Sequence, residues 1–155
     1  MQNFSYRKSS AINKKNKILL VEDNPNDTLL AQRAFRKCDG LISNCQLDCV
    51  TDGEQAVEYL SRNPKPTAIL LDLNLPRMDG FQLLEYIRSN NATRLLPVIV
   101  LTSSTEEKDI AHAYHLGANS YINKPINFTH FHEVIQLLSY YWLVINENPK
   151  SVLDF

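Results

Sequence analysis

The fold of this chain is decided by the stretch KILLVEDNP at residues 17–25. Its apolar part, residues 18–21, is typical of a short strand that is buried on both faces. Asn24 suits the N-cap of a helix, and Pro25 suits its first turn. Apolar residues then recur at helical spacing, so the stretch predicts a buried strand that leads directly into a helix.

The same strand-then-helix unit returns four more times along the chain. We predict strands at 45–50, 68–72, 98–101 and 121–122, and helices at 53–60, 80–88, 106–115 and 127–145. Short buried strands that alternate with helices indicate a parallel sheet, and right-handed crossovers place the helices on both faces. The predicted fold class is α/β, a flavodoxin-like, doubly wound sheet of five parallel strands in the order 2-1-3-4-5.

Length and charge fit one globular domain. The chain has 155 residues, with 16 Lys and Arg against 17 Asp and Glu, and a net charge of −1. We expect a flexible leader at residues 1–16, one folded domain at 17–146 and a tail at 147–155. So small a charge does not attract nucleic acid or an anionic membrane, and no apolar run reaches the ~20 residues that span a bilayer. We therefore expect neither among the partners.

The N-terminal segment and the cysteines indicate the compartment. The first residues lack the apolar run of a secretory signal, and the spacing of the cysteines matches no zinc site. On one strand, Cys45 and Cys49 would lie roughly 13 Å apart, which is too far for a disulfide. We expect a cytoplasmic, reduced protein.

Charged and hydroxyl side chains follow the predicted strands at one edge of the sheet. Glu22 and Asp23 follow the first strand, Asp72 the third, Thr102 the fourth and Lys124 the fifth. Two carboxylates about 4 Å apart repel by roughly 4 kcal/mol at an effective dielectric near 20, so three need positive partners. Lys124 supplies one charge, and Mg²⁺, which prefers oxygen ligands, supplies two. Such a cluster suits phosphoryl transfer in which Asp72 is the nucleophile.

Four segments resemble the signatures of response regulator receiver domains. They are VEDN at 21–24, LDLNLPRMDG at 71–80, LTS at 101–103 and KP at 124–125. The resemblance covers about residues 17–145, and its four motifs arrive in order at strand ends. It implies a single-domain two-component response regulator, which is not an enzyme beyond its own Mg²⁺-dependent phosphorylation and dephosphorylation.

The resemblance also implies roles for individual residues. Asp72 would be the phosphoacceptor, and Mg²⁺ would be held by Glu22, Asp23, Asp72 and the backbone carbonyl of Asn74. Glu22 stands where many members have Asp, so we expect its longer side chain to reach the metal through water.

Three further residues would contact the phosphoryl group or respond to it. Thr102 would be the switch hydroxyl, Tyr121 the aromatic residue that turns inward on activation, and Lys124 the lysine that contacts the phosphoryl oxygens. The role of Tyr121 follows from the resemblance alone, whereas the charge of Lys124 and the hydroxyl of Thr102 also suit phosphoryl transfer by their chemistry.

A narrower resemblance joins the chain to the stand-alone receivers that are paired with cyanobacterial phytochromes. Residues 71–80, 114–125 and 140–142 carry it. It implies that the partner is a histidine kinase of phytochrome type.

The last predicted helix carries two apolar stripes. One stripe is expected to pack on the sheet and consists of Phe131, Val134, Ile135, Leu138, Trp142 and Ile145. The second consists of Leu137, Tyr141 and Val144, with Tyr140 beside it. An exposed apolar stripe is typical of an interface, so we expect a homodimer through the last helix. Alternatively, the tail residues Val152, Leu153 and Phe155 cover the stripe within one chain.

Three other functions remain open at this stage. A haloacid-dehalogenase-like phosphohydrolase also uses an Asp nucleophile and Mg²⁺, but that nucleophile lies in an Asp-x-Asp pair on the first strand. A flavodoxin-like electron carrier would need donors for the flavin phosphate where Glu22 and Asp23 stand. A receiver-like binding module that is never phosphorylated is the third alternative.

Overall fold

The computed structural model describes residues 16–38, 45–62, 65–125 and 127–149. Its strands are β1 Asn16–Val21, β2 Cys45–Val50, β3 Ala68–Leu71, β4 Val98–Thr102 and β5 Ser120–Asn123. Its α-helices are α1 Pro25–Arg36, α2 Gly53–Leu60, α3 Gly80–Ser89, α4 Glu107–His115 and α5 Phe128–Tyr140, followed by a π-helical turn at Tyr141–Ile145. β1 takes in Asn16, the last residue of the predicted leader; the rest of the leader, and Val152, Leu153 and Phe155, lie outside the described residues.

The sheet is parallel throughout and has the strand order β2-β1-β3-β4-β5, which confirms the predicted fold class. The register of the two central strands pairs Val21 of β1 with Leu71 of β3. The next residues along the chain are Glu22 and Asp72, so these carboxylates leave the sheet side by side. The topology alone therefore brings together two of the predicted site residues.

The helices form a layer on each face of the sheet. Ile18 and Leu20 of β1 belong to a core that includes buried residues of α1 and α5. Leu19 and Val21 belong to a second core with buried residues of α2, α3 and α4. This alternation explains the continuous apolar run in β1, because each face of the strand is covered. Among the described residues, no helix combines the length and the apolar character needed to cross a membrane.

Side-chain caps fix the start of α1 at the edge of the sheet where β1 ends. The Asn24 side chain accepts hydrogen bonds from the backbone N–H groups of Asn26 and Asp27, and Pro25 is the first helical residue. Both positions are the predicted ones. The chain thus passes from β1 to α1 within three residues, which holds Glu22 and Asp23 on a short segment.

The predicted last helix does not continue as an α-helix to Ile145. In the π-helical turn, the Asn146 N–H donates to the Tyr141 carbonyl at 2.7 Å, a hydrogen bond that spans five residues instead of four. Each residue therefore turns the helix by less than 100°, and the later side chains are rotated away from their α-helical directions.

This rotation corrects the predicted positions of Val144 and Ile145 and buries Leu143. Leu143, which neither stripe included, is fully buried. Val144 is half-buried and packs against the core beneath α1 and α5, so it does not lie on the exposed stripe. Ile145 was expected to face the sheet, yet it is exposed. The exposed apolar stripe consists of Leu137, Tyr141 and Ile145, which are 72%, 47% and 40% exposed.

Candidate functional site

Three carboxylates meet at the carboxyl ends of β1 and β3. Glu22, Asp23 and Asp72 each offer an oxygen, and these oxygens lie within 4.8 Å of one another. Glu22 and Asp72 are buried, whereas Asp23 is exposed. We call these residues the acidic trio. The trio is open to solvent on the side of Asp23 and closed by protein on the other.

Lys124 neutralises part of this charge from the end of β5. Its Nζ donates to Glu22 Oε2 at 2.6 Å, to Asp72 Oδ2 at 2.8 Å and to Asp27 Oδ2 at 2.9 Å. Its backbone N–H donates to the Thr102 carbonyl at 2.8 Å, which fixes the residue beside β4. Burial alone would lower the pKa of Lys124, but its hydrogen bonds to the three carboxylates outweigh burial and raise that pKa. The ammonium therefore stays charged in the folded protein.

The carboxyl group of Glu22 is strongly perturbed by its surroundings. The net pKa of Glu22 is raised to about 7. Burial raises this pKa most, Lys124 lowers it, and the neighbouring charge of Asp72 raises it. Its Oε1 also accepts a hydrogen bond from the Asn24 backbone N–H at 3.1 Å. Ionised Glu22 lies beside the Asp72 carboxylate, and a bound cation would stabilise this ionised form.

The carboxylate of Asp72 is held by hydrogen bonds from two other directions. Its Oδ1 accepts from the buried Thr102 hydroxyl at 2.9 Å and from the Asn74 backbone N–H at 3.2 Å. Its Oδ2 accepts only from Lys124 among the hydrogen bonds described for that atom. Asp72 is thus fixed in one orientation, with donors where negative charge on added oxygens could be stabilised.

Tyr121 lies next to the site through the loop that follows β4. Its hydroxyl donates to the Ser104 backbone carbonyl at 3.0 Å, two residues after Thr102. The ring is half-buried against the core beneath α2, α3 and α4. A displacement of Thr102 would therefore be transmitted along a short segment of backbone to the Tyr121 side chain.

The loop between β3 and α3 is shaped by two close contacts. A Cβ on Gly80 would lie 2.5 Å from the Asp72 carbonyl oxygen, so only glycine allows this approach. Arg77 has a φ of 65°, and its guanidinium lies 3.9 Å from Asp52 and 3.7 Å from Glu54 at the start of α2. These contacts hold the segment that contains Asn74.

Comparison with known proteins identifies the family of this chain. The family model of the response regulator receiver domain matches residues 18–136. The chain belongs to the response regulator receiver domain family. The matched residues include all four motifs on which the resemblance rests.

Two curated relatives match most of this receiver domain. One is the probable methanogenesis regulatory protein FilR2 of Methanothrix harundinacea, 36% identical over 137 residues, which are 85% of this chain and 86% of the relative. The other is response regulator Rcp1 of Synechocystis, 35% identical over 132 residues, 81% of this chain and 88% of Rcp1.

The solved structures of related receivers agree with these matches. The phosphorylated cyanobacterial phytochrome response regulator RcpA has a TM-score of 0.82 at 35% identity, covering 88% of this chain and all of that one. The Mn²⁺-bound form of Rcp1 has a TM-score of 0.79 at 33% identity, covering 87% of this chain and 99% of that one. The chain is thus related to phytochrome response regulators in sequence and in fold.

The donor set of this receiver fits a small, hard cation. The trio supplies oxygen ligands only, one of them exposed, and oxygen ligands with room for water suit Mg²⁺. A Mn²⁺-bound relative with the same fold agrees with such a site. Glu22, Asp23 and Asp72 are the residues that would hold the ion.

One residue of the site was missed by sequence reasoning. Asp27, in the first turn of α1, reaches Lys124, although none of the motifs includes it. An acidic residue in a first turn is common because it complements the helix dipole, so its sequence position alone signals no more than a stable helix. The only other hint is that α1 begins at the same edge of the sheet as the trio.

Proposed function

We propose that this receiver domain accepts a phosphoryl group on Asp72 from a partner histidine kinase in a Mg²⁺-dependent reaction. The observation that carries the proposal is the placement of the Asp72 carboxylate. It lies within 2.9 Å of both the Thr102 hydroxyl and the Lys124 ammonium, and within 4.8 Å of two further carboxylates. This placement supports a nucleophile, two donors for phosphoryl oxygens and carboxylates for a cation at one edge of the sheet.

The transfer follows from this geometry. A carboxylate oxygen of Asp72 attacks the phosphorus of the kinase's phosphohistidine, the new O–P bond forms, and the N–P bond breaks with its electron pair returning to the imidazole. Lys124 and Thr102 donate hydrogen bonds to the phosphoryl oxygens as charge develops on them. Bound Mg²⁺ would supply further positive charge against the trio and the phosphoryl group.

Phosphorylation would change the contacts of Thr102 and Tyr121. The phosphoryl group adds about −1.5 to −2 units of charge and new acceptor oxygens. Thr102 would exchange its hydrogen bond to Asp72 Oδ1 for one to a phosphoryl oxygen. The Ser104 carbonyl would move with the loop, and Tyr121 would lose its present acceptor and turn inward. The surface around β4 and β5 is then the part of the molecule that reports the phosphoryl group.

We propose a phytochrome-type kinase as the partner. The support is the likeness to Rcp1 and RcpA, the second of which is described as a phytochrome response regulator. FilR2 matches equally well and is described as a methanogenesis regulator, so the sensor must be identified by direct transfer. We also propose that this receiver domain is cytoplasmic, which the match to the receiver family supports.

We also propose that the protein forms a homodimer through the end of α5. Leu137, Tyr141 and Ile145 are exposed apolar residues spaced four apart, beside a groove of about 440 Å³ that Glu133 and Tyr140 help to line. Exposed apolar surface of this kind is stabilised when a second surface covers it.

Radiolabel transfer tests the phosphoacceptor. Autophosphorylated phytochrome-type kinases and an unrelated histidine kinase are each mixed with the protein and Mg²⁺. We expect rapid transfer from the phytochrome type, loss of transfer on chelation of Mg²⁺, and none to the Asp72→Asn variant. Label that persists in Asp72→Asn contradicts the assignment, and steady turnover of a simple phosphate ester would indicate a phosphohydrolase instead.

A further inference from the structure

Lys124 has a third carboxylate partner that does not belong to the acidic trio. The three hydrogen-bond donors of its ammonium are matched by three carboxylates, of which two, Glu22 and Asp72, belong to the trio and one, Asp27, does not. Lys124 is 11% exposed and Asp27 is 28% exposed, so water weakens this contact only in part. Asp27 is therefore the one acceptor that comes from α1 and not from a strand end.

The two kinds of partner differ in what the proposed reaction does to them. Phosphorylation converts the Asp72 carboxylate into an acyl phosphate, and a bound cation takes oxygens of the trio. Both Glu22 and Asp72 thus have fewer carboxylate oxygens left to accept hydrogen bonds from Lys124. Asp27 is not part of that chemistry, so its hydrogen bond to Nζ can persist in every state of the site.

A lysine side chain without a fixed acceptor has many rotamers. Holding it in one of them costs side-chain entropy, which a charge-assisted hydrogen bond can offset. The Asp27 backbone is itself held at the start of α1, where the Asn24 cap accepts a hydrogen bond from the Asp27 backbone N–H at 3.3 Å. α1 therefore presents an acceptor from a capped helix end to a flexible side chain.

We propose that Asp27 is a positioning residue that holds Lys124 toward the phosphoryl group during transfer. This inference rests on the proposed phosphorylation of Asp72. Asp27 itself contacts neither the nucleophile nor the trio in the hydrogen bonds described, and it acts through Lys124. In this assignment, α1 positions a side chain of the site in addition to packing against the sheet.

A double-mutant cycle with acetyl phosphate as the phosphoryl donor tests the inference. Rates of mass increase are measured at saturating Mg²⁺ for the wild type and for Asp27→Ala, Asp27→Asn, Lys124→Met and Asp27→Ala with Lys124→Met. We expect Asp27→Ala to react about tenfold more slowly, which corresponds to about 1.4 kcal/mol of transition-state free energy. Asp27→Asn keeps an acceptor for Nζ and should stay within about threefold of the wild type.

The Lys124→Met variant distinguishes a positioning role of Asp27 from a general loss of stability. When Lys124 is Met, removal of the Asp27 side chain should change the rate by less than about twofold, because its partner is absent. The Glu107→Ala variant is the matched control, since Glu107 is an exposed acid in the first turn of another helix. Its rate should equal that of the wild type.

The outcomes distinguish the two proposals. If the wild type and Glu107→Ala gain no mass, phosphorylation of Asp72 is wrong and the inference falls with it. If they are phosphorylated but Asp27→Ala reacts as fast or faster, the positioning role alone is wrong. An equal loss in the Lys124→Met background, or no difference between Asp27→Ala and Asp27→Asn, also overturns the positioning role.

Discussion

The ammonium of Lys124 is the one basic group that contacts Glu22 and Asp72 among the hydrogen bonds and ion pairs described for them. Because both carboxylates are buried, removing their shared partner leaves negative charge without compensation in a region of low dielectric. The cost of that removal depends on whether a metal ion is present. We therefore expect Lys124 to stabilise the fold, in addition to the phosphoryl contact proposed for it.

Lys124→Met should lower the free energy of unfolding by about 3 kcal/mol without Mg²⁺, because breaking a buried ion pair leaves an unpaired buried charge. Mg²⁺ should restore part of the loss by neutralising the same carboxylates. Urea unfolding with and without Mg²⁺ measures both effects. The control is Lys108→Met, whose ion pair with Glu106 is exposed and should contribute little to stability. Equal losses in the two variants would contradict the buried ion pair.

The ionisation of Glu22 predicts a pH dependence of the metal-free protein. Its pKa is raised from 4.5 to about 7 in the folded state, chiefly by burial. Between these two pH values the folded protein holds a proton that the unfolded chain has lost. The contribution of Glu22 to stability therefore falls as the pH rises from about 4.5 to 7, and it is constant above 7.

Urea unfolding at pH 5 and pH 7.5 checks this sign against the Glu22→Gln variant. The stability of the wild type relative to Glu22→Gln should decrease from the lower pH to the higher. Mg²⁺ competes with that proton, so the affinity of the wild type for Mg²⁺ should rise over the same interval and then level off. A relative stability that increases with pH would rule out a raised pKa.

At the scale of elements, the π-helical turn decides which side chains at the end of α5 are buried. Leu143→Ala should lower the free energy of unfolding by about 3 kcal/mol, as expected for a large apolar side chain removed from a core. Ile145→Ala should change it by less than about 0.5 kcal/mol, because the side chain is on the exposed stripe. Urea unfolding compares the two variants directly. A continuous α-helix would give the reverse order.

The strands and most helix starts could be predicted because the local sequence pattern agrees with the burial of each element in the fold. The apolar runs of β1, β3 and β4 are buried on both faces, and Asn24 with Pro25 marks the start of α1. Strand order also places Glu22 beside Asp72 without any knowledge of side-chain contacts. Sequence reasoning thus reaches the acidic trio by topology alone.

Two features could not be predicted from the residues. A count of 100° per residue assumes an unbroken α-helix. Nothing in the sequence of residues 141–145 indicates the π-helical turn. The predicted sides of Val144 and Ile145 are therefore wrong. The contact between Asp27 and Lys124 joins positions 97 residues apart, and it depends on how α1 lies against the end of β5. Such contacts follow from packing and not from a local pattern.

At the scale of the whole molecule, the exposed stripe predicts self-association. Sedimentation at tens of micromolar should show a species of twice the mass of one chain, and Leu137→Glu should convert it to monomer by placing a charge in the interface. Leu95→Glu is the control, since Leu95 is exposed in the loop before β4 and lies outside the stripe. Both variants should react with acetyl phosphate at the wild-type rate. A monomeric wild type would contradict the homodimer.

The parallel sheet places the acidic trio, Thr102 and Lys124 at the ends of its strands, and the turn that leads into β4 lies at the opposite rim. A five-residue strand such as β4 separates the two rims by roughly 17 Å. The exposed turn at 91–92, which precedes β4, is thus a suitable attachment point for a dye or an affinity handle. A reporter there would follow the molecule through a signalling assay while the chemistry proceeds undisturbed on the far side.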